Sequence, residues 1–333
     1  METDDLLERL RRQSSLFGEL CSELRHSDLP AWLVGGCLRD LLLGRPCADI
    51  DLVTSADPTS WAQSWARGRG HWFWLDRQRR QSRVLLPGNL SIDFAPLRAA
   101  TIAADLAARD FTVNAIALPL SAVSTTGLFD PLEGRRDLAE RCLRHCAADS
   151  FSADPLRILK GIRHAVSLDF HFAGSTFALM RDATAGLNRV AGERLRDELL
   201  QILASGRDCR ALELLSDGGF LETLFGTPGG PWDAQATGAA LRPLRARMAA
   251  FAQQTATGEA LLPHYPAELF LLGAVLRSYA PADLAGVLQR LRLSRAWQRL
   301  LVALQSPPER ALLQLQAALN DRRRALLVER LHP

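Results

Sequence analysis

The sequence predicts an α+β protein: a head with a mixed β-sheet and flanking helices, then an all-helical neck and body or tail. Up to about residue 145, strand-like and helical stretches alternate along the chain. From "DPLRILKGIRHAVSLDF" onward the pattern is helical and stays so, with Leu156, Leu159, Ile162 and Val166 at three- and four-residue steps. The Gly- and Pro-rich stretch "GTPGGPWDAQATG", residues 226–238, reads as a linker between helical regions. These observations divide the chain into a head over 1–145 with an N-terminal helix, a helical neck over 146–225 and a helical body over 226–333.

Each element has its own signal. "METDDLLERLRRQSSLFGELCSELR" is acidic and then amphipathic, which predicts a helix and not a charged-then-apolar leader. "WLVG" reads as a short strand and "CLRDLLLG" as a helix stopped by Gly44. "DIDLVTS" alternates polar and apolar residues, as a strand with one buried face does. A helix around "PTSWAQSWAR" follows, then the strands "HWFWLD", "SRVLLP" and "LSIDFAPL", the last two separated by Pro87-Gly88-Asn89. "GERLRDELLQILAS", "CRALELLSDGGFLETLF", "AELFLLGAVLRSY" and "ADLAGVLQRLRL" continue the helical part.

Bulk properties narrow the function classes. At 333 residues the chain is long enough for two or more domains, and its 47% hydrophobic and 23% charged content is that of a soluble globular protein. No run of eighteen apolar residues occurs, so no membrane partner is expected and the expected compartment is the cytoplasm. The six cysteines (Cys21, Cys37, Cys47, Cys142, Cys146 and Cys209) include no CxxC pair. Cys142 and Cys146, four apart on a predicted helix, have no second pair to complete a metal site, so buried reduced thiols are expected. A net charge of +3 neither demands nor excludes nucleic acid; the grouping of the arginines decides that. The oligomeric state is unknown from the sequence.

The chemistry concentrates in "LVGGCLRDLLLGRPCADIDLVTS", residues 33–55. Asp49 and Asp51 alternate with an apolar residue, so both carboxylates project from one face of a strand. Such neighbours raise one another's pKa unless a cation neutralises them, and paired carboxylates suit Mg2+. Asp93, in "SIDFAPL", is a third candidate on a later strand. Carboxylates on adjacent strands make a metal site for in-line phosphoryl or nucleotidyl transfer. An isolated D-x-D is more often structural. Here Gly35-Gly36 allows a tight turn and close ligand approach, the next helix offers its free N–H groups to an anion, and Arg39 lies one turn in. Together these describe a triphosphate cradle.

Five segments carry a family resemblance in register. "GGCLRDLLLGRPCADIDLVT" resembles the opening motif of the nucleotidyltransferase superfamily, in the form found in class II, bacterial-type CCA-adding enzymes and bacterial poly(A) polymerases. "RDFTVNAIAL" resembles the family's ribose-contacting motif, and "FDPLEGRRDLAERCLR" the segment leading into the neck. "ADPLRILKGIRHA" is similar to the nucleobase-recognition helix and "GERLRDELLQIL" to the next neck helix. The resemblance covers roughly residues 30–205; beyond that it is a general helical likeness.

The resemblance implies roles. Asp49 and Asp51 would bind Mg2+, activating the primer 3′-hydroxyl, with Asp93 as a third catalytic carboxylate. Gly35, Gly36 and Arg39 would hold the β- and γ-phosphates, with Asp40 either orienting Arg39 or touching ligand. Arg109, Asp110 and Asn114 would surround the ribose; alone the motif favours a helix cap and a satisfied turn, and its place in the series reverses that. Asp154 and Arg157, three apart and on one helix face, would match the Watson–Crick edge of cytosine or adenine, with Lys160 and Arg163 further along. Glu193, Arg194 and Glu198 would support them from the next helix.

The chain departs from the family pattern at named positions. Ala108 stands where a first arginine usually precedes Arg109, Ala153 where a glutamate precedes Asp154, and Lys160 where an arginine is usual. Only "RAATIAA" separates "SIDFAPL" from "DLAARDFT", and in the family a shortened loop here accompanies addition of the two cytidines alone. The implied function is a template-independent tRNA nucleotidyltransferase that completes or repairs the tRNA 3′ end with CTP, ATP or both. A poly(A) polymerase, a non-catalytic RNA-binding protein of the same fold and a small-molecule nucleotidyltransferase stand as alternatives. The last would need neither the Asp154/Arg157 helix nor a long helical body. Two basic segments add to this picture. "RGRGHWFWLDRQRRQSR" (67–83) interleaves arginines with Trp72, Phe73 and Trp74, reading as half core, half surface with either a solvated tip or an RNA contact. "NDRRRALLVERL" reads as a basic helix, along tRNA or solvated.

Overall fold

The chain opens with two helices where one was expected. α1 (Thr3–Gln13) and α2 (Ser15–Arg25) are separated at Ser14, whose extended backbone (φ −158°) ends the first helix and begins the second. Leu6, Leu7, Leu10, Phe17, Leu20 and Leu24 are buried, which is the stripe the amphipathic pattern required. The computed structural model describes residues 3–120, 127–227, 232–255 and 267–305, so the basic segment "NDRRRALLVERL" lies outside the described residues.

Among these the chain divides into two compact units, Met1–Ser150 with His171–Thr176, and Phe151–Phe170 with Phe177–Pro333. The first is built on a six-stranded sheet. Its elements run β1 (Ala31–Val34), α3 (Gly35–Leu42), β2 (Asp49–Thr54), α4 (Thr59–Ala66), β3 (His71–Asp76), β4 (Gln81–Leu86), β5 (Leu90–Pro96), α5 (Ile102–Ala107) and β6 (Ala117–Pro119). The strand order is β3-β4-β5-β2-β1-β6, with β2 and β5 parallel and every other pair antiparallel. This is the mixed sheet that the sequence predicts.

Alternation along the strands separates a packed face from a polar one. Ile50, Leu52, Val84, Ile92 and Phe94 are at most 1% exposed and occupy one face by register. α4 covers that face, with Trp61 over Phe94 at 5.8 Å and Trp65 buried beside it. Burying each large apolar side chain contributes roughly 1.5–3 kcal/mol, so this face anchors the sheet. The opposite face carries Asp49, Asp51 and Asp93. α6 (Gly134–Ala139) and a short parallel pair, β7 (Cys142–Leu143) with β8 (His171–Phe172), complete the unit.

The cysteines behave differently from expectation. Cys142 lies on β7, and no helix carries both Cys142 and Cys146; pairing with His171 makes this segment extended. Cys37 and Cys47 are joined by a disulfide, whereas reduced thiols were expected. The chain between α3 and β2 doubles back so that their Cα atoms lie 5.4 Å apart, within bridging range.

The second unit is helical: α7 (Ser150–Ala153, starting at the boundary), α8 (Arg157–Leu168), α9 (Gly174–Asp182), α10 (Gly192–Ala204), α11 (Asp208–Asp217), α12 (Phe220–Phe225), α13 (Ala234–Thr255), α14 (Ala267–Val275), α15 (Pro281–Arg290) and α16 (Arg295–Leu304). α8 buries Ile158, Leu159, Ile162, Ala165 and Val166, leaving Arg157, Lys160 and Arg163 on its less buried stripe. α13 begins within the stretch read as a linker. Asp233 accepts the Ala236 N–H at 2.8 Å and so starts a helix through the alanines that follow. None of the described helices is long and apolar enough to cross a membrane.

Candidate active site

Asp51 sits at the centre of the polar face. Its register partners are Val34 on β1 and Asp93 on β5, so the carboxylates of Asp51 and Asp93 stand on neighbouring strands and the same side. Asp49, two residues earlier, shares that side and accepts the Ser91 hydroxyl at 2.5 Å. Burial pushes the Asp51 carboxyl up to about 6; Asp93 and Asp49 push the same way, and Arg109 and Arg83 partly offset them. Hard oxygen donors crowded together in this way fit a divalent cation such as Mg2+. Among the described residues no group of three or more His, Cys, Asp or Glu side chains is arranged to hold a metal. Asp93 is engaged elsewhere: Arg83 on β4 grips both its oxygens, at 2.6 and 2.8 Å. Asp49 and Asp51 are left as the candidate pair of donors.

The glycine turn is fitted to this cluster. Gly35 has φ +76°, and a Cβ there would lie 2.8 Å from Asp51 Oδ2 and 3.4 Å from Arg109 Nη1. Only glycine allows the chain to turn so close to the carboxylate. α3 then starts with no side-chain cap and no acidic residue in its first turn, a helix start whose chemistry suits an anion.

Residues expected to hold phosphate and ribose form one hydrogen-bonded network. Arg39 is 8% exposed; it donates to Asp40 at 3.0 and 2.9 Å and to Asn114 Oδ1 at 2.9 Å. Asp40 thus orients Arg39, one of the two roles open to it. Asn114 Nδ2 donates to Asp110 Oδ1 at 3.0 Å, and the same oxygen accepts the Phe111 N–H at 2.8 Å. Asp110 thus bonds the residue that opens the 3₁₀ turn Thr112–Asn114 and fixes Asn114, which in turn fixes Arg39.

Arg109 is held by a residue the sequence reading missed. Asp105, 1% exposed on α5, accepts Arg109 Nη2 at 3.0 Å and Nε at 3.3 Å, and its other oxygen accepts the Arg98 N–H at 2.9 Å. The i,i+4 spacing of Asp105 and Arg109 was the available signal. Arg83 was missed for another reason: its pairing with Asp93 crosses two strands and leaves no local trace. Arg98 and Arg109 line a cleft with Asp51, Asp93, Gln81 and Leu75.

In the second unit Asp154 does not lie on the recognition helix. Pro155 disfavours helical backbone before it, so α8 begins only at Arg157, and the Asp154 carboxylate accepts the Leu156 N–H at 3.3 Å. Arg194 of α10 donates to Asp154 at 3.2 Å. Arg163 donates to the buried Glu198 at 2.8 Å. Lys160 is half-buried on the same stripe of α8 as Arg157, and Glu193 is exposed on α10.

A carboxylate pair on a central strand, faced by a glycine turn that opens a helix, defines a nucleotidyltransferase-type head. Residues 31–102 and 98–144 match the family model described as the poly A polymerase head domain. Residues 169–230 match that of the "Probable RNA and SrmB- binding site of polymerase A". The chain is 40% identical over 299 residues to a CC-adding tRNA nucleotidyltransferase of Geobacter sulfurreducens, covering 85% of this chain and 67% of that protein. It is 40% identical over 221 residues to a multifunctional CCA protein of Variovorax paradoxus, covering 59% and 52% respectively. The Thermotoga maritima CCA-adding enzyme complexed with tRNA superposes with a TM-score of 0.74 at 28% identity, over 90% of this chain and 72% of that one. The chain belongs to the class II, bacterial-type CCA-adding enzyme and poly(A) polymerase family. It spans two thirds of the Geobacter relative and about half of the Variovorax one.

Proposed function

We propose that the chain is a template-independent tRNA nucleotidyltransferase, acting in the cytoplasm, that adds C, A or both to the tRNA 3′ end from CTP or ATP and releases pyrophosphate. The observation that carries this reading is the row Asp49–Asp51–Asp93 on one sheet face, with Gly35 turned against Asp51. Asp49 and Asp51 would hold Mg2+, which when bound neutralises the triphosphate and aligns the attacking and leaving oxygens.

The chain's own residues then divide the remaining work. Gly35, Gly36 and the uncapped N–H groups of α3 bind the β- and γ-phosphates, and Arg39 adds the N–H groups that Asp40 and Asn114 leave unused. Arg109, Asp110 and Asn114 orient the ribose. Asp93, held by Arg83, is assigned to the incoming 3′-hydroxyl. Asp154, Arg157, Lys160 and Arg163 are assigned to reading the base, for which a carboxylate acceptor and guanidinium donors match cytosine or adenine.

Addition of the two cytidines alone is the finer reading favoured by one observation: β5 and α5 are joined only by residues 97–101, tethered by Asp105 through the Arg98 N–H. Poly(A) synthesis on the same head is the competing reading. The deciding experiment incubates a tRNA transcript lacking its CCA with labelled CTP or ATP, singly and together. Two cytidines from CTP, with no adenosine following, support the finer reading; completion to CCA supports the broader one alone. Many adenosines added to unrelated RNA would overturn both.

A further inference from the structure

Cross-strand register extends the catalytic row past the carboxylates. Asp51 pairs with Asp93, Asp93 with Arg83, and Arg83 with Phe73, so one row of side chains on one face runs from β2 to the β3 edge. The next row runs from Asp49 through Ser91 and Leu85 to His71. The sequence stretch 67–83 therefore sorts its aromatics. Trp72 and Trp74 stand on the other face with each other, centroids 5.0 Å apart, whereas His71 and Phe73 stand on the carboxylate face with their rings stacked, centroids 6.0 Å apart and 28° between planes.

This face is unusually open. Leu75, Leu85 and Val302 are the exposed large hydrophobics among the described residues, and Leu85 (45%) and Leu75 (46%) both belong here. Leu85 lies between Ser91 and His71, and Leu75 lines the cleft with Asp51 and Asp93. An exposed His71 ring stacked on a half-buried Phe73, an aliphatic side chain and an arginine on one sheet face make a stacking surface for nucleobases with a charge for phosphate.

The geometry of in-line transfer says which nucleic acid arrives there. The phosphate cradle of α3 follows β1, on one side of β2, so leaving pyrophosphate departs toward β1. In-line displacement requires the attacking oxygen on the opposite side, which is the side of β5, β4 and β3. Resting on the function proposed above, we infer that His71, Phe73, Arg83 and Leu85 seat the single-stranded 3′ end of the RNA acceptor. At about 4.8 Å between strands, Phe73 lies roughly 14 Å from Asp51, within reach of the nucleotides just before the reacting one.

The test compares the wild-type chain with Phe73→Ala, Phe73→Trp and Leu85→Glu. It measures binding of a labelled tRNA lacking CCA by fluorescence anisotropy without nucleotide, and separately the KM for tRNA and for CTP. Phe73→Ala and Leu85→Glu are expected to weaken tRNA binding and raise its KM about tenfold, while Phe73→Trp keeps both and the CTP KM is unchanged. Leu85 is exposed, so its variant probes the surface without opening the core. RNA affinity within about twofold of wild type in both weakened variants overturns the inference. It is equally overturned if those variants change only self-association, which would make this face an interface between copies. A wild-type chain that incorporates no nucleotide sinks the proposed reaction instead, and the binding measurement still decides the surface.

Discussion

Asp51 carries two opposed demands, and its protonation links them. Without a cation, the folded chain keeps the Asp51 proton up to about pH 6, whereas the unfolded chain releases it near pH 4. The folded state binds more protons between those values, so stability falls as pH rises through that window and stays lower above it. Asp51→Asn removes the penalty. In chelator, the variant is expected to melt a few degrees above wild type at pH 7, with the gap closing below about pH 4, as a thermal scan would read. The same variant is expected to lose at least ~100-fold of nucleotide incorporation, because the charge that fixes the cation is gone. Greater stability with lost activity is the pattern of a group kept for chemistry. An Asp51→Asn protein as active as wild type would remove Asp51 from the site.

Between elements, single side chains carry alignment. The Asp105 side chain ties α5 to the segment before it and to the residue after it, through the Arg98 N–H and the Arg109 guanidinium. Asp105→Asn leaves a neutral partner for Arg109, and the KM for nucleotide is expected to rise roughly tenfold at near-constant fold, with Asp105→Glu restoring part of it. In the second unit, Arg194→Ala frees Asp154, and misincorporation of A for C is expected to rise several-fold while total incorporation changes less. Unchanged selectivity in single-nucleotide assays would show that Arg194 does not position Asp154. Much of this scale was legible beforehand. The glycine pair and the period-two aspartates write α3 and β2 into adjacent residues. The parallel pairing of β2 with β5 joins segments some forty residues apart, and no local pattern states it. Helical spacing misled at Asp154, because Pro155 outweighs the periodicity, and at Ser14, where one extended residue interrupts the amphipathic run. Arg83 and Ser91 were invisible because each acts across strands.

Over the whole molecule, basic and acidic groups nearly balance, 40 against 37, and many arginines are spent internally. Arg69 pairs with Glu19 and Glu23, Arg207 and Arg210 share Asp169, and Arg245 grips Asp208. Arginines held in such pairs are less available to neutralise RNA phosphates. The dissociation constant for tRNA is expected to depend on salt with a log–log slope of only about three to five, and a slope near ten would contradict this distribution of charge. The paucity of lysine has a practical side. Lys160 is the sole lysine among the 40 lysine and arginine positions, and it stands on the less buried stripe of α8 beside Arg157. Apart from the chain's amino terminus, an acylating or aldehyde reagent meets one primary amine. The helix assigned to choosing the base thus carries its own unique chemical handle, open to a fluorophore or to a dialdehyde made by oxidising the ribose of a nucleotide.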